Sequence, residues 1–155
     1  MSEIHGMSQR GGSVSTQVRY GDEVHSPIVG KGSADVIVAF ETMEALRWLE
    51  YLKVGGKMVV NNFKINPAPV NLGKAEYPEA ILEDLKAKCP VTAVKAGEIA
   101  TELGNAKAMN VVLLGALVKA IGTLDDVDWD AQIEKNVKPK FVELNKKAFK
   151  AGYDL

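Results

Sequence analysis

Asp35-Val36-Ile37-Val38-Ala39-Phe40 is apolar without alternation after its first residue, the pattern of a strand covered on both faces. Glu41-Thr42 then opens a helix in which Ala45, Leu46, Leu49 and Leu52 share a side, and Gly55-Gly56 stops it. Lys57-Met58-Val59-Val60-Asn61 follows as a second short buried strand. Strand, helix and strand within about thirty residues make a right-handed crossover between parallel strands. This unit commits the chain to an open α/β sheet with helices on both faces, and it directs ligands to the carboxyl ends of the strands. Glu41, Thr42, Asn61 and Asn62 fall at those ends. They are candidates for ligand contact, against the alternative that Thr42 caps its helix and the asparagines turn the chain.

The rest of the chain extends the same pattern. Asn62 to Tyr77, with Pro67 and Pro69 and no steady period, reads as an irregular excursion. Pro78 suits the first turn of a helix with Ile81, Leu82, Leu85 and Cys89 on one side, and Val91 to Ala96 gives one more strand, so a second crossover is expected. From Gly97 onward the sequence is helical: a short helix to Leu103, a buried helix over Lys107–Ile121, and two amphipathic helices striped by Trp129, Ile133 and Val137 and by Phe141, Leu144 and Ala148. Before the crossover, Val14, Thr16, Val18 and Tyr20 alternate with Ser13, Ser15, Gln17 and Arg19. That period predicts a half-buried strand, with Glu23 to Ile28 returning beside it as a hairpin partner. One domain spanning residues 1–155 is expected, mostly parallel Rossmann-like sheet followed by a helical C-terminal part.

Composition removes several function classes. With 46% hydrophobic and 25% charged residues and a formal net charge of -1, nothing favours nucleic acid or a membrane surface. The run Ala108 to Ile121 is about 14 residues, short of the roughly 20 needed to cross a bilayer, and Lys119 interrupts it. Residues 1–12 are polar and glycine-rich, unlike a secretory signal. The single cysteine, Cys89, can form neither an internal disulfide nor the cysteine ligand set of an iron-sulfur cluster; it reads as core in a protein of the reducing cytoplasm. His5 and His25 have no neighbours that would make a metal site or a nucleophile arrangement.

Ahead of the sheet stands His5-Gly6-Met7-Ser8-Gln9-Arg10-Gly11-Gly12-Ser13-Val14. The guanidinium of Arg10 offers a planar fork for a carboxylate or phosphate, and Gly11 and Gly12 let backbone amides approach the same anion. Asn110 is polar inside the most apolar helix, where a buried amide needs a backbone, subunit or ligand partner. No phosphate-cradling, dinucleotide-binding or zinc-ligand spacing is present. These residues alone do not assemble a self-sufficient enzyme, and no catalytic residue or metal ligand is assigned.

Glu3-Ile4-His5-Gly6-Met7-Ser8-Gln9-Arg10-Gly11-Gly12-Ser13-Val14, then Val18-Arg19-Tyr20-Gly21 and Ser26-Pro27-Ile28, resembles the gamma-type subunits of 2-oxoacid:ferredoxin oxidoreductases. Within them it is most similar to the beta subunits of the indolepyruvate enzymes. Ala34-Asp35-Val36, Phe40-Glu41 with Glu44-Ala45-Leu46-Arg47, and Asn110 to Leu117 resemble the family as well. The resemblance implies a non-cofactor subunit of a complex that converts a 2-oxo acid and coenzyme A to an acyl-coenzyme A and carbon dioxide and reduces ferredoxin. Indolepyruvate or another aryl pyruvate is the implied substrate. Pyruvate or another 2-oxo acid, or a non-catalytic assembly module, are the alternatives.

Thiamine diphosphate and the iron-sulfur clusters are then expected on a large partner subunit, with none bound by this chain alone, and ferredoxin is reached through the complex. By the same resemblance Ser8, Gln9, Arg10, Gly11, Gly12 and Asn110 face substrate or coenzyme A. Family members carry a strand, a turn of the Gly-x-Gly-Gly-Gln-Gly kind and a helix before this motif. Their first strand-loop-helix is absent here, so the sheet is expected to be N-terminally incomplete and to depend on a partner.

Overall fold

The structure, a computed structural model, describes residues 1–4 and 14–155. Its centre is a parallel three-stranded sheet in the order β3-β4-β5, where β3 is Ala34–Ala39, β4 is Leu52–Asn61 and β5 is Val91–Val94. Helix α1 (Thr42–Trp48) connects β3 to β4, and α2 (Ala68–Asn71) and α3 (Ile81–Lys86) lie between β4 and β5. Then come α4 (Ala96–Glu102), α5 (Met109–Ile121), α6 (Trp129–Asn136) and α7 (Val142–Tyr153). The expected α/β fold with a helical C-terminal part is present.

β4 is the middle strand, and its sequence shows why. Met58 and Val60 pack with Ala45, Ile81 and Leu85 of α1 and α3. Val59, pointing the other way, packs with Val112, Leu113 and Ala116 of α5, Ala100 of α4 and Ala148 of α7. A strand covered on both faces has no polar side to show, so its apolar run is continuous. Each such side chain, fully buried, contributes on the order of 1.5–3 kcal/mol relative to exposure. A third cluster joins Val118, Ile133 and Phe149 of the last three helices.

Helices α5 and α7 approach more closely than ordinary side chains allow. A Cβ on Gly115 would lie 2.0 Å from the Phe149 carbonyl oxygen, and one on Gly152 would lie 1.8 Å from that of Val112. Glycine at both positions lets the backbones touch.

Three expectations need correction. The spacing puts Leu52 on the helix face, yet α1 ends at Trp48 and Leu52 starts β4, opposite Ala34. The register then slips, so that Val36 faces Lys57. The extra residues form a bulge in which Gly55 takes φ +78 and Val54 projects into solvent. Gly55-Gly56 therefore shapes a strand instead of stopping a helix.

Second, the predicted N-terminal hairpin is absent. β2 is only Ser15–Gln17, it pairs antiparallel with β1 (Ser2–Ile4), and 23–28 form no strand. Third, the predicted face is inverted. Val14, Val18 and Tyr20 are exposed, whereas Ser15 and Gln17 are half-buried. Polar contacts decide this: Gln17 Oε1 accepts from Val29 N at 2.7 Å, and Arg19 donates to the carbonyls of Ser26 (3.2 Å) and Ile28 (3.4 Å).

Candidate functional site: the carboxyl edge of the sheet

Immediately after β3 the chain alternates sharply, with Phe40 about half exposed and Glu41 and Thr42 buried. Glu41 is extended (φ -153, ψ 148) and caps α1, its Oε2 accepting from Glu44 N at 3.0 Å. The N-cap is therefore Glu41 and not Thr42. Acidic capping is favourable, because the free amides and the dipole of the first turn both attract a negative oxygen. Glu41 Oε1 accepts from Ile65 N at 3.3 Å and from the hydroxyl of Tyr77. Thr42 Oγ1 lies 2.7 Å from the same phenol oxygen and 3.3 Å from the Phe63 carbonyl.

At the end of β4, Asn61 Nδ2 donates to the Phe40 carbonyl at 3.2 Å, and Oδ1 accepts from Ala96 N at 3.1 Å. One buried amide thus ties the ends of β3, β4 and β5 together. Among the described residues no buried side-chain nitrogen or oxygen lacks a partner. Glu41, Thr42 and Asn61 stand at the carboxyl edge of the sheet, and there their hydrogen bonds hold that edge in shape.

Tyr77 is the residue that sequence reasoning missed. Burial pushes its phenol above the usual value, and the hydrogen bond to Glu41 raises it further. The ammonium of Lys64 sits 5.2 Å from the centre of its ring. Beside them a concavity of about 210 Å³ is lined by Thr42, Asn62, Lys64, Pro78, Ile81 and Glu83. A second concavity, about 200 Å³, lies at the opposite end of the sheet near Lys57, Pro90 and Lys119. Lys57 there donates to the Ala120 carbonyl at 2.8 Å, at the end of α5.

Ser8, Gln9, Arg10, Gly11 and Gly12, with His5, lie outside the described residues. Asn110 is exposed in the first turn of α5 and so needs no internal partner, contrary to the buried amide expected. His25 is exposed, 3.5 Å from Glu23. Cys89 is half-buried against α1 and α3, and burial pushes its thiol up, away from the reactive thiolate. No group of three or more His, Cys, Asp or Glu side chains among the described residues could hold a metal ion, and one cysteine does not fit an iron-sulfur cluster. No described helix is long and apolar enough to cross a membrane.

The model of the family "Pyruvate ferredoxin/flavodoxin oxidoreductase" matches residues 1–155. The chain belongs to this family. It is 43% identical over 159 residues to the indolepyruvate oxidoreductase subunit IorB of Pyrococcus horikoshii, covering 98% of this chain and 78% of that protein. With IorB of Archaeoglobus fulgidus it shares 41% over 157 residues, covering 99% and 78%. The 2-oxoglutarate synthase subunit KorC of Methanothermobacter marburgensis is more distant, 27% identical over 155 residues, covering 99% and 77%. The keto/oxoacid ferredoxin oxidoreductase gamma subunit of Geobacter sulfurreducens superposes with a TM-score of 0.63 at 24% identity, covering 99% of this chain and 76% of that one. That likeness places the fold of this family member among the gamma subunits.

Proposed function

We propose that this chain is the non-cofactor subunit of a thiamine-dependent 2-oxoacid:ferredoxin oxidoreductase acting on indolepyruvate or another aryl pyruvate. The observation that carries the reading is the identity with IorB along nearly the whole chain, 43% against 27% for the 2-oxoglutarate subunit. At the carboxyl edge the buried polar side chains Glu41, Thr42 and Asn61 are hydrogen-bonded to groups of this chain. Such an edge is suited to walling a site whose reactive group belongs to another chain.

Thiamine diphosphate supplies the carbon chemistry when bound, and it resides with the iron-sulfur clusters on a large partner subunit. Electrons leave through that subunit to ferredoxin. On this side Arg10, with the amides around Gly11 and Gly12 and the donors Ser8 and Gln9, faces an anionic substrate or coenzyme A, and the complex works in the cytoplasm.

The test is co-expression with the large subunit, followed by assay of coenzyme A-dependent ferredoxin reduction with indolepyruvate, phenylpyruvate, pyruvate and 2-oxoglutarate. Aryl pyruvates should lead, and Arg10→Ala should lower turnover or raise the coenzyme A requirement at least tenfold, the loss expected for a charge-assisted contact. Preference for 2-oxoglutarate or pyruvate would move the assignment within the family. A stable complex with no turnover on any 2-oxo acid would make the chain an assembly module.

A further inference from the structure

The connection from Asn62 to Ala80 crosses the carboxyl edge of the sheet with little packing of its own. Only Pro67, Val70 and Tyr77 in it are even partly buried, while Phe63, Ile65 and Leu72 are each more than half exposed. Its first residues are tied down by backbone bonds, with Thr42 N donating to the Phe63 carbonyl at 3.0 Å and Ile65 N to Glu41. Beyond Ile65, the side-chain hydrogen bonds that reach out of the connection come from Tyr77, whose phenol meets Glu41 and Thr42, residues 36 and 35 positions away.

Three residues after Tyr77 stands Ala80, with φ 58 and ψ 21, directly before α3. Among the described residues it is the only one other than glycine with positive φ. The left-handed conformation is costly for a residue with a Cβ, and it persists only where the surroundings enforce it. The Tyr77 anchor lies three residues before it, and on its other side the Ala80 carbonyl accepts from Asp84 N at 2.9 Å and Ile81 is buried. A charge-assisted hydrogen bond therefore opposes backbone strain at the end of the same segment, and these two effects are comparable in size.

We propose that residues 66–80 form a strap with a closed and an open state, latched by Tyr77 and hinged at Ala80. In the closed state the phenol covers Glu41 and Thr42. Release of the phenol lets Ala80 relax to an ordinary conformation and uncovers both residues, together with the Lys64 side of the adjoining concavity. Glu41 keeps its bond to Glu44 N in either state, so α1 stays capped while the edge opens. A strap in this place gates whatever occupies the carboxyl edge, the position where parallel sheets take their ligands. The inference does not depend on which 2-oxo acid the complex uses.

Hydrogen exchange on the full chain, in whatever complex it purifies, tests this directly. Tyr77→Phe should accelerate exchange of the 66–80 amides about tenfold, the loss of one such hydrogen bond, and in the parent these amides should exchange through local opening, with a smaller urea dependence than those of β4 and α5. Ala80→Val leaves every latch contact in place but is less tolerant of positive φ, and it should accelerate the same amides severalfold. Unchanged exchange over 66–80 in either variant would overturn the proposal. So would a urea dependence of exchange over 66–80 in the parent as steep as that of β4 and α5, because the segment would then open only with the whole fold.

Discussion

β4 and the stretch from Val14 to Val29 both carry several apolar residues, yet they place those residues in opposite directions. β4 keeps Met58, Val59 and Val60 essentially out of water, whereas the N-terminal stretch turns Val14, Val18 and Tyr20 toward it. The difference lies in what holds each one. β4 is enclosed by helices of its own chain on both faces, so burial sets its orientation. The N-terminal stretch is held by Gln17, by Arg19, and by the Tyr20 hydroxyl 3.5 Å from Thr123 Oγ1, all polar contacts to backbone or hydroxyl. Alternation in a sequence therefore reports a two-faced strand without saying which face the fold covers. Cohesion of the polar kind is also weaker per residue, since an exposed hydrogen bond exchanges readily with water.

The comparison breaks first at the helix layer that covers β4. Gly152→Ala places a methyl 1.8 Å from the Val112 carbonyl oxygen, so α5 and α7 must separate and uncover Val59. Backbone on both sides leaves no flexible side chain to yield. The expected loss is about 3 kcal/mol or more, at or beyond the upper end of ordinary overpacking, read as a lower urea midpoint or a failure to fold. A variant as stable as the parent would mean that the two helices are not in contact there.

The next effect is pH-dependent and belongs to the edge. Tyr77 has a phenol raised in the folded state above its ordinary value near 10, by burial first and by Glu41 second. A raised acid binds its proton more tightly folded than unfolded. Its contribution, about 1–2 kcal/mol for a partly buried hydrogen bond to a carboxylate, is thus fully present below pH 10 and is lost as pH rises through the folded value. Urea melts of the parent and of Tyr77→Phe should differ by a constant amount between pH 7 and about 9.5 and converge above it. A gap that stays constant up to the alkaline limit would separate Tyr77 from the Glu41 network.

Much of this was legible in the residues, because burial on both faces writes itself as an uninterrupted apolar run. Asp35–Phe40, Lys57–Asn61 and Val91–Ala96 each hold a strand of one parallel sheet, although the last strand ends at Val94 and Ala96 already opens α4, and Glu41, Thr42 and Asn61 reached the sheet's edge because they follow or end those runs. The helix through Leu52 failed for a physical reason. Leu46, Leu49 and Leu52 keep helical spacing, but the turn at Leu49–Tyr51 tightens and the bulge recruits Leu52 into β4. Tyr77 was invisible because its partner is 36 residues away, and no local pattern records a distant hydrogen bond. Asn110 misled because one exposed position in an apolar helix looks the same as a buried one.

The smallest effects sharpen the contrast within the N-terminal stretch itself. If polar contacts set its course, removing one should matter more than removing an apolar side chain, the reverse of the rule in β4. Gln17→Ala deletes the acceptor for Val29 N, and it should loosen residues 14–29 by about 1 kcal/mol, seen as faster exchange of the Val29 amide and faster cleavage between 20 and 28. Val18→Ser, about 61% exposed, should stay within roughly 0.5 kcal/mol of the parent by the same measurements on the free chain. The order of the two decides the matter. Val18→Ser loosening the stretch more than Gln17→Ala would mean that Val18 packs against this chain in solution and that the inverted face is not its resting arrangement.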